Sequence, residues 1–205
     1  MRDPMMQRWV DFIGHRASLD RALWVYRVIT DYYGQRHRSY HTLDHIRQML
    51  DDMEKYFPGA SELEILAIWF HDLVYIPGST ENEAQSAWQM AALLRGIYTN
   101  QELMEAGSHI LATAYHVKER GSYSPGSKRL RDIDLLALAI DPRNYDINTR
   151  KIWEELNLPE DVWRLGRKRF IQKMLSQPRI YLTDELYTWF EHLARTNLKR
   201  ELAKY

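Results

Sequence analysis

The segment that decides the fold is residues 63–75, LEILAIWFHDLVY. Up to Phe70 it is apolar on almost every side, which is typical of a helix enclosed by its own domain. His71 and Asp72 follow within the same run. Burying an imidazole beside a carboxylate is costly unless both groups are satisfied, and a divalent metal satisfies them directly. The segment therefore predicts a metal site in the core of a helical domain.

Helical periodicity continues on both sides of this segment. Apolar residues recur at three- and four-residue spacing, and no alternating strand pattern, internal repeat or long linker interrupts them. We expect the helix that carries His71 and Asp72 to end at Pro77-Gly78. The economical interpretation is one all-α domain, a helical bundle that spans residues 1–205.

Several helix starts can be read from local spacing. Ser61 with Glu64, and Thr80 with Glu83, are spaced as capping boxes. Thr42 is a suitable N-cap for a further helix. A loop rich in glycine, serine and proline is expected over residues 118–127, and an apolar helix over 130–140.

The composition excludes several classes of function. The formal net charge is zero, so there is no overall electrostatic case for nucleic acid or an anionic membrane. The chain has no cysteine, which excludes disulfides, thiolate metal sites and a cysteine nucleophile. No segment approaches the roughly 20 apolar residues of a membrane helix, and the first eight residues lack the apolar stretch of a signal peptide. We expect a cytoplasmic protein, and a homo-oligomer is compatible with the sequence.

Two further residues can complete a metal site with His71 and Asp72. With Thr42 as the cap, His45 falls in the first turn of its helix, and Asp134 precedes another apolar run. Two imidazoles and two carboxylates from three helices can hold one octahedral ion, with positions open to water and substrate. Taken singly, each residue is better explained by a structural role: His71 and Asp72 as caps or interhelical bridges, and Asp134 as a surface acid.

The ordered set of these residues resembles the HD superfamily of metal-dependent phosphohydrolases, an all-α fold named for its histidine–aspartate pair. The stretch from Tyr40 to His45, YHTLDH, is similar to the tyrosine-histidine-x-x-x-histidine signature of the cyclic-nucleotide phosphodiesterase branch. The resemblance extends over most of the chain to a bacterial and phage group of predicted HD phosphohydrolases. The shared pieces are Tyr40-His41-Thr42, residues 70–75, Asn82-Glu83, residues 112–116, residues 132–135, Gly166-Arg167, residues 179–181 and residues 194–198.

This resemblance implies an activity and assigns roles. It implies hydrolysis of a phosphate ester or anhydride, with a nucleotide as the leading substrate class, by a metal-activated water. One divalent ion per chain, Mn, Fe, Co, Ni, Mg or Zn, would be held by His45, His71, Asp72 and Asp134. His41 would protonate the leaving oxygen, a role suited to an imidazole near neutral pH.

The remaining candidate site residues each have a structural explanation as well as a functional one. Glu83, with Asp72 and His41, is a catalytic candidate because a carboxylate there could orient the attacking water, although it also fits a capping role. His116, Lys118 and Arg129 are candidates for substrate binding, since cations pair well with phosphate oxygens. Arg36 and Arg38 could join them, and His109 is expected to be a satisfied, partly buried histidine.

Two other classes of function remain open. A nucleotide-binding regulatory module of the HD type would keep the fold without turnover. A di-iron oxygenase of the HD type would need more histidines than lie between His71 and Asp134. One metal per chain favours hydrolysis, two irons favour oxygenation, and none favours a binding module.

Overall fold

The computed structural model describes residues 3–115 and 123–205. Within these ranges the chain forms ten α-helices and one short 3₁₀ helix, Leu135–Ala139, and no β-strand, so the expectation of an all-α fold is confirmed. None of the described helices is long and apolar enough to cross a membrane. The α-helices are α1 Pro4–Ile13, α2 Leu19–Tyr33, α3 Leu43–Tyr56, α4 Glu62–Phe70, α5 Asn82–Leu94, α6 Asn100–Leu111, α7 Pro125–Asp134, α8 Pro142–Leu156, α9 Glu160–Ser176 and α10 Asp184–Leu202.

Helix α4 lies at the centre of the N-terminal helices and contacts α3, α5, α6 and α7. The predicted capping box is confirmed, because Ser61 and Glu64 each bond the other's backbone N–H. Trp69 is fully buried and meets Trp9 of α1 edge-on, with ring centroids 5.3 Å apart. The end of α4 is thereby fixed in the core.

The extent predicted for α4 is wrong. The helix ends at Phe70, His71 occupies the C-cap position, and Asp72 lies in the turn that follows. The predicted continuation to Pro77 does not form, so the two side chains project from a helix end and not from a helix flank.

Side chains from other elements explain why the helix stops. Arg38 donates from Nη1 to the carbonyl oxygen of Asp72 and from Nη2 to that of Leu73, at 2.7 Å in both cases. Ser86 of α5 accepts from the backbone N–H of Val74 at 3.0 Å. Backbone groups that a longer helix would pair internally are satisfied by these contacts, so an irregular segment is tolerated in the interior.

The capping box predicted at Thr80 and Glu83 is also wrong. Helix α5 begins at Asn82, its N-cap is Glu81, and no side chain caps it. The Asn82 side chain instead holds the backbone N–H and carbonyl of Ile76, at 2.9 and 3.0 Å. The start of α5 therefore serves to fix the segment after the histidine–aspartate pair.

Helix α7 begins earlier and ends earlier than predicted. Ser124 caps it by accepting from the Ser127 backbone N–H at 3.1 Å, and Pro125 takes the first helical position, where proline is well tolerated. The α-helix ends at Asp134, and the chain continues as the 3₁₀ helix. Asp134 thus stands at a change of helix type.

Candidate metal centre

Three elements bring together the four side chains proposed as metal ligands. His45 lies in the first turn of α3, His71 and Asp72 follow α4, and Asp134 ends α7. Nε2 of His45 is 3.2 Å from Oδ1 of Asp134, and Nε2 of His71 is 2.9 Å from Oδ2 of Asp72. The crossed distances are 3.8 Å for His45 to Asp72 and 3.7 Å for His71 to Asp134. The four residues, from three separate segments of the chain, form one cluster.

The donor atoms of this cluster suit a divalent cation. One ligand atom each from His45, His71 and Asp134 lies within 4.8 Å of the others. Nδ1 of His71 faces the carbonyl oxygen of Ile68 at 3.0 Å, which fixes the tautomer that leaves the Nε2 lone pair free. Nε2 of His45 and Nε2 of His71 are buried, and neither forms a hydrogen bond of good geometry with the carboxylate oxygens that lie close to it. A bound metal would satisfy both nitrogen atoms, whose burial unpaired is otherwise costly.

Electrostatic attraction between the imidazole and carboxylate groups holds the cluster together. Burial alone would raise the pKa of Asp72, but the charges of His71 and His41 outweigh burial and hold that pKa well below its ordinary value. The carboxyl group is therefore ionised. Burial likewise opposes ionisation of Asp134, and its contacts with His45 and His71 hold its pKa well below the usual range. Two ionised carboxylates therefore face two imidazoles in the interior. Burial lowers the pKa of His71, but Asp72 and Asp134 outweigh burial and raise it well above its ordinary value. A divalent cation bound here would take the place of the proton on His71.

Asp134 is oriented by a residue that sequence reasoning did not single out as functional. The hydroxyl group of Tyr115 donates to Oδ2 of Asp134 at 2.6 Å, while Oδ1 faces the histidines. A residue that hydrogen-bonds to a metal-ligating carboxylate fixes the orientation of that carboxylate. The only sequence signal was the position of Tyr115 inside one of the shared segments.

Arg38 connects the loop that carries His41 to the segment that carries Asp72. Besides the carbonyls that follow α4, it donates from Nη1 to the carbonyl oxygen of His41 at 3.1 Å, and from Nε to Oε1 of Gln35 at 3.2 Å. All three guanidinium nitrogen atoms are engaged by the protein. The expectation that Arg38 joins a phosphate site is therefore replaced by a positioning role, because it fixes the His41 loop against the segment of Asp72.

His41 is held by Glu155 of α8, a residue that sequence reasoning missed. Oε2 of Glu155 lies 2.6 Å from Nδ1 of His41. Oε1 accepts from the backbone N–H groups of Ser39, Tyr40 and His41, each at 2.8 Å. Since Nδ1 is occupied, only Nε2 of His41 remains for a substrate.

The surroundings of His41 favour its protonated form. Burial lowers the pKa of its imidazole, but the charge of Asp72 and the hydrogen bond to Glu155 outweigh burial and raise the pKa above its ordinary value. Its ring stacks on Tyr75 with centroids 4.4 Å apart, which limits ring rotation. An oriented imidazolium is the form that a general acid requires.

Two clefts reach the cluster. One, of about 350 Å³, is lined by His41 and Asp134 and extends between α8 and α9. The other, of about 540 Å³, is lined by His45 and Asp134 and extends along α3. Tyr40 and Asn148 line both. The candidate centre is therefore accessible to small molecules.

The structure also places Arg129 and Glu83, two further predicted site residues. Arg129 forms a two-pronged ion pair with Glu64, at 2.6 and 2.9 Å, and lines neither cleft. Glu83 lies in the first turn of α5 and is not among the donor atoms that meet at His45, His71 and Asp134. His116 and Lys118 lie outside the described residues.

His109 has the structural role expected of it. It is buried, and its Nδ1 lies 3.0 Å from the Ser127 hydroxyl oxygen.

Comparison with models of known families, with curated proteins and with solved structures gives no match to this chain. The resemblance to HD phosphohydrolases therefore stays a prediction, and the function has to be argued from the geometry of the centre.

If His41 acts as a general acid, loss of the Glu155 charge is expected to shift the pH dependence of the reaction. In Glu155→Gln, the pKa of His41 should fall, because a charge-assisted hydrogen bond is lost. A general acid is active only when protonated, so activity is lost as the pH rises through its pKa. The alkaline limb of kcat/KM should therefore move to lower pH, by about one unit. Pre-steady-state or steady-state pH profiles would measure this shift.

Glu154→Gln is the matched control, since Glu154 is the half-exposed neighbour that pairs with Arg150. An unchanged alkaline limb in Glu155→Gln would remove His41 from the acid role.

Proposed function

We propose that the chain is a metal-dependent hydrolase of phosphate esters, with nucleotides as the first substrate class to be tested. One observation carries the proposal. The His45–His71–Asp72–Asp134 cluster, with two buried unpaired imidazole nitrogen atoms, lies beside a histidine whose free Nε2 borders the same cleft. A cation site next to an oriented acid is the combination that hydrolysis of a phosphate ester needs.

A divalent ion at this cluster would supply Lewis acidity toward the phosphoryl oxygens and a water of lowered pKa. The protein supplies the rest. Nε2 of His41 gives its proton to the leaving oxygen as the phosphorus–oxygen bond breaks, and Glu155 stabilises the charged imidazole beforehand. Asp72, an ionised member of the cluster, would orient the attacking water by accepting a hydrogen bond from it, and the proton of that water would be released to solvent.

The proposal is tested by measuring phosphate release. Protein freed of metal with a chelator is assayed on nucleoside mono-, di- and triphosphates, cyclic nucleotides and simple phosphate esters. Mn²⁺, Mg²⁺, Co²⁺, Ni²⁺, Zn²⁺ and Fe²⁺ are added in turn. We expect turnover of at least one phosphate ester that depends on added metal and is lost when the chelator returns.

Absence of turnover with every metal and every ester would contradict the proposal. Nucleotide binding without turnover would then indicate a regulatory module, and binding of two iron ions with oxygen consumption would indicate an oxygenase.

A further inference from the structure

The cleft that His41 lines has a mainly apolar wall. It lies between the 3₁₀ helix, α8 and α9, and its volume of about 350 Å³ is at the lower end of pockets that bind small organic molecules. Its described apolar lining residues are Leu135, Ala137, Leu138, Ile152, Leu156, Leu158, Val162, Trp163 and Phe170.

The wall of the cleft carries little charge apart from the candidate metal ligand Asp134 and from His41. Among the described lining residues, only Arg167 is charged besides His41 and Asp134. Its guanidinium is paired with Glu201, from Nε to Oε1 at 3.0 Å and from Nη2 to Oε2 at 3.1 Å. The hydroxyl group of Tyr145 donates to the same carboxylate. A buried cation already neutralised in this way cannot balance a second phosphate group.

One donor of this network stays available. Nη1 of Arg167 forms no hydrogen bond within the described part of the chain, whereas Nε and Nη2 do. The plane of the guanidinium group lies near Phe170, with its central carbon 4.9 Å from the ring centroid. The cleft thus offers Nη1 of Arg167 as a hydrogen-bond donor, beside the polar side chains of Asn148 and Thr149, in a mainly apolar environment.

The position of His41 decides which cleft receives the leaving group. His41 lines the apolar cleft and does not line the cleft along α3. Its Nε2 must reach the leaving oxygen, so the alcohol that leaves must lie on the His41 side of the phosphorus atom. The apolar wall therefore surrounds the organic part of the substrate.

We propose that this cleft binds the alcohol portion of a phosphomonoester, and that the alcohol is uncharged and mainly apolar, with one acceptor for Nη1 of Arg167. The inference rests on the proposed function and narrows its substrates from phosphate esters in general to monoesters of apolar alcohols, which would then be preferred to nucleotides. In the reaction, water adds to phosphorus and the bond from phosphorus to the alcohol oxygen breaks. The proton of His41 goes to that oxygen, and the attacking water releases its own proton to solvent.

Gly166 offers a way to fill the cleft without disturbing the fold. It lies in α9 and lines the cleft, and a Cβ added there meets no atom within 4 Å. Gly166→Trp should therefore occupy the space of the alcohol, whereas Gly166→Ala is the matched control that leaves the space open. Val162→Trp, at a half-exposed lining position, is a second filling variant if Gly166→Trp does not fold.

The test compares substrates with equal demands on the acid. 3-Phenylpropyl phosphate and glycerol 1-phosphate are both esters of primary alcohols, so their leaving oxygens need the same proton. We expect kcat/KM of the metal-loaded enzyme to be about 10- to 100-fold higher for the phenylpropyl ester, since burial of an apolar side group favours it by that factor. This preference should disappear in Gly166→Trp, mainly through KM, and persist in Gly166→Ala.

Three results would overturn the inference while leaving the proposed function intact. They are equal rates on the two esters, a preference for AMP or ATP over the phenylpropyl ester, and a preference for the phenylpropyl ester that survives both filling variants. Calorimetric binding of the non-hydrolysable 3-phenylpropylphosphonate tests the cleft assignment separately from the proposed function. If it binds at least tenfold more tightly than methylphosphonate, and Gly166→Trp removes the difference, the cleft assignment holds even where no ester is turned over. In that case the proposed function alone fails.

Discussion

Replacing His71 with alanine is expected to reduce metal-dependent hydrolysis by at least about 10³-fold. Lewis-acid stabilisation by a metal is worth several kcal/mol, and each ~1.4 kcal/mol in the barrier changes the rate tenfold. His71 contributes one of the two buried nitrogen atoms without a partner, and its orientation is fixed through Nδ1. Without it, Asp72 and Asp134 retain one imidazole between them. Initial rates at saturating metal would measure the loss.

The same variant should lose its response to metal in thermal unfolding. A ligand that binds only the folded state at 100 times its Kd stabilises that state by about 2.7 kcal/mol. We expect Mn²⁺ to raise the Tm of the wild-type chain and to leave that of His71→Ala unchanged. His192→Ala is the matched control, because His192 is exposed on α10. If His71→Ala kept both its activity and its response to metal, His71 would not be a ligand.

Replacing His41 with alanine is expected to lower turnover by about 10²–10⁴-fold on an ester with a poor leaving group, the usual effect of losing a general acid. The metal should remain bound, because the side chain of His41 is held by Glu155 and is not part of the compact donor set. On 4-nitrophenyl phosphate, whose leaving group needs no proton, the loss should be much smaller. Rates on the two classes of ester, with metal content measured beside them, provide the test.

Equal losses on both esters would indicate a role for His41 other than proton donation. Loss of the metal would place it among the ligands instead.

Much of the fold is predictable because local signals determine helix starts. The Ser61–Glu64 box opens α4 as expected, and the apolar run through Phe70 is buried as its composition predicts. The end of α4 was not predictable, since Arg38 and Ser86 stop it from distant parts of the chain. Nothing within the local sequence encodes those contacts.

The same distinction applies to the candidate site. His45, His71, Asp72 and Asp134 were selected by residue type and order, and the structure brings their imidazole nitrogen and carboxylate oxygen atoms to distances of 2.9 to 3.8 Å. The partner of His41 could not be selected in that way. Glu155 lies 114 residues after His41 in the sequence, on an otherwise ordinary helix. A single glutamate there carries no local signal that it will be buried.

Arg129 illustrates the opposite case, in which residue type misled the prediction. A cation near a presumed phosphate site is a reasonable candidate, but the guanidinium group is used to join α7 to Glu64 of α4. The pairing is set by the packing of two helices, and helix packing is not contained in the spacing of charges along the chain.

The most direct test of the central claim is the metal content of the purified chain. Wild-type protein and His71→Ala are loaded with Mn²⁺, freed of excess ion by gel filtration, and analysed by mass spectrometry of the metal against protein concentration. The four-residue centre predicts one ion per wild-type chain and close to none in the variant. A wild-type chain without metal, or equal metal content in both proteins, would contradict it.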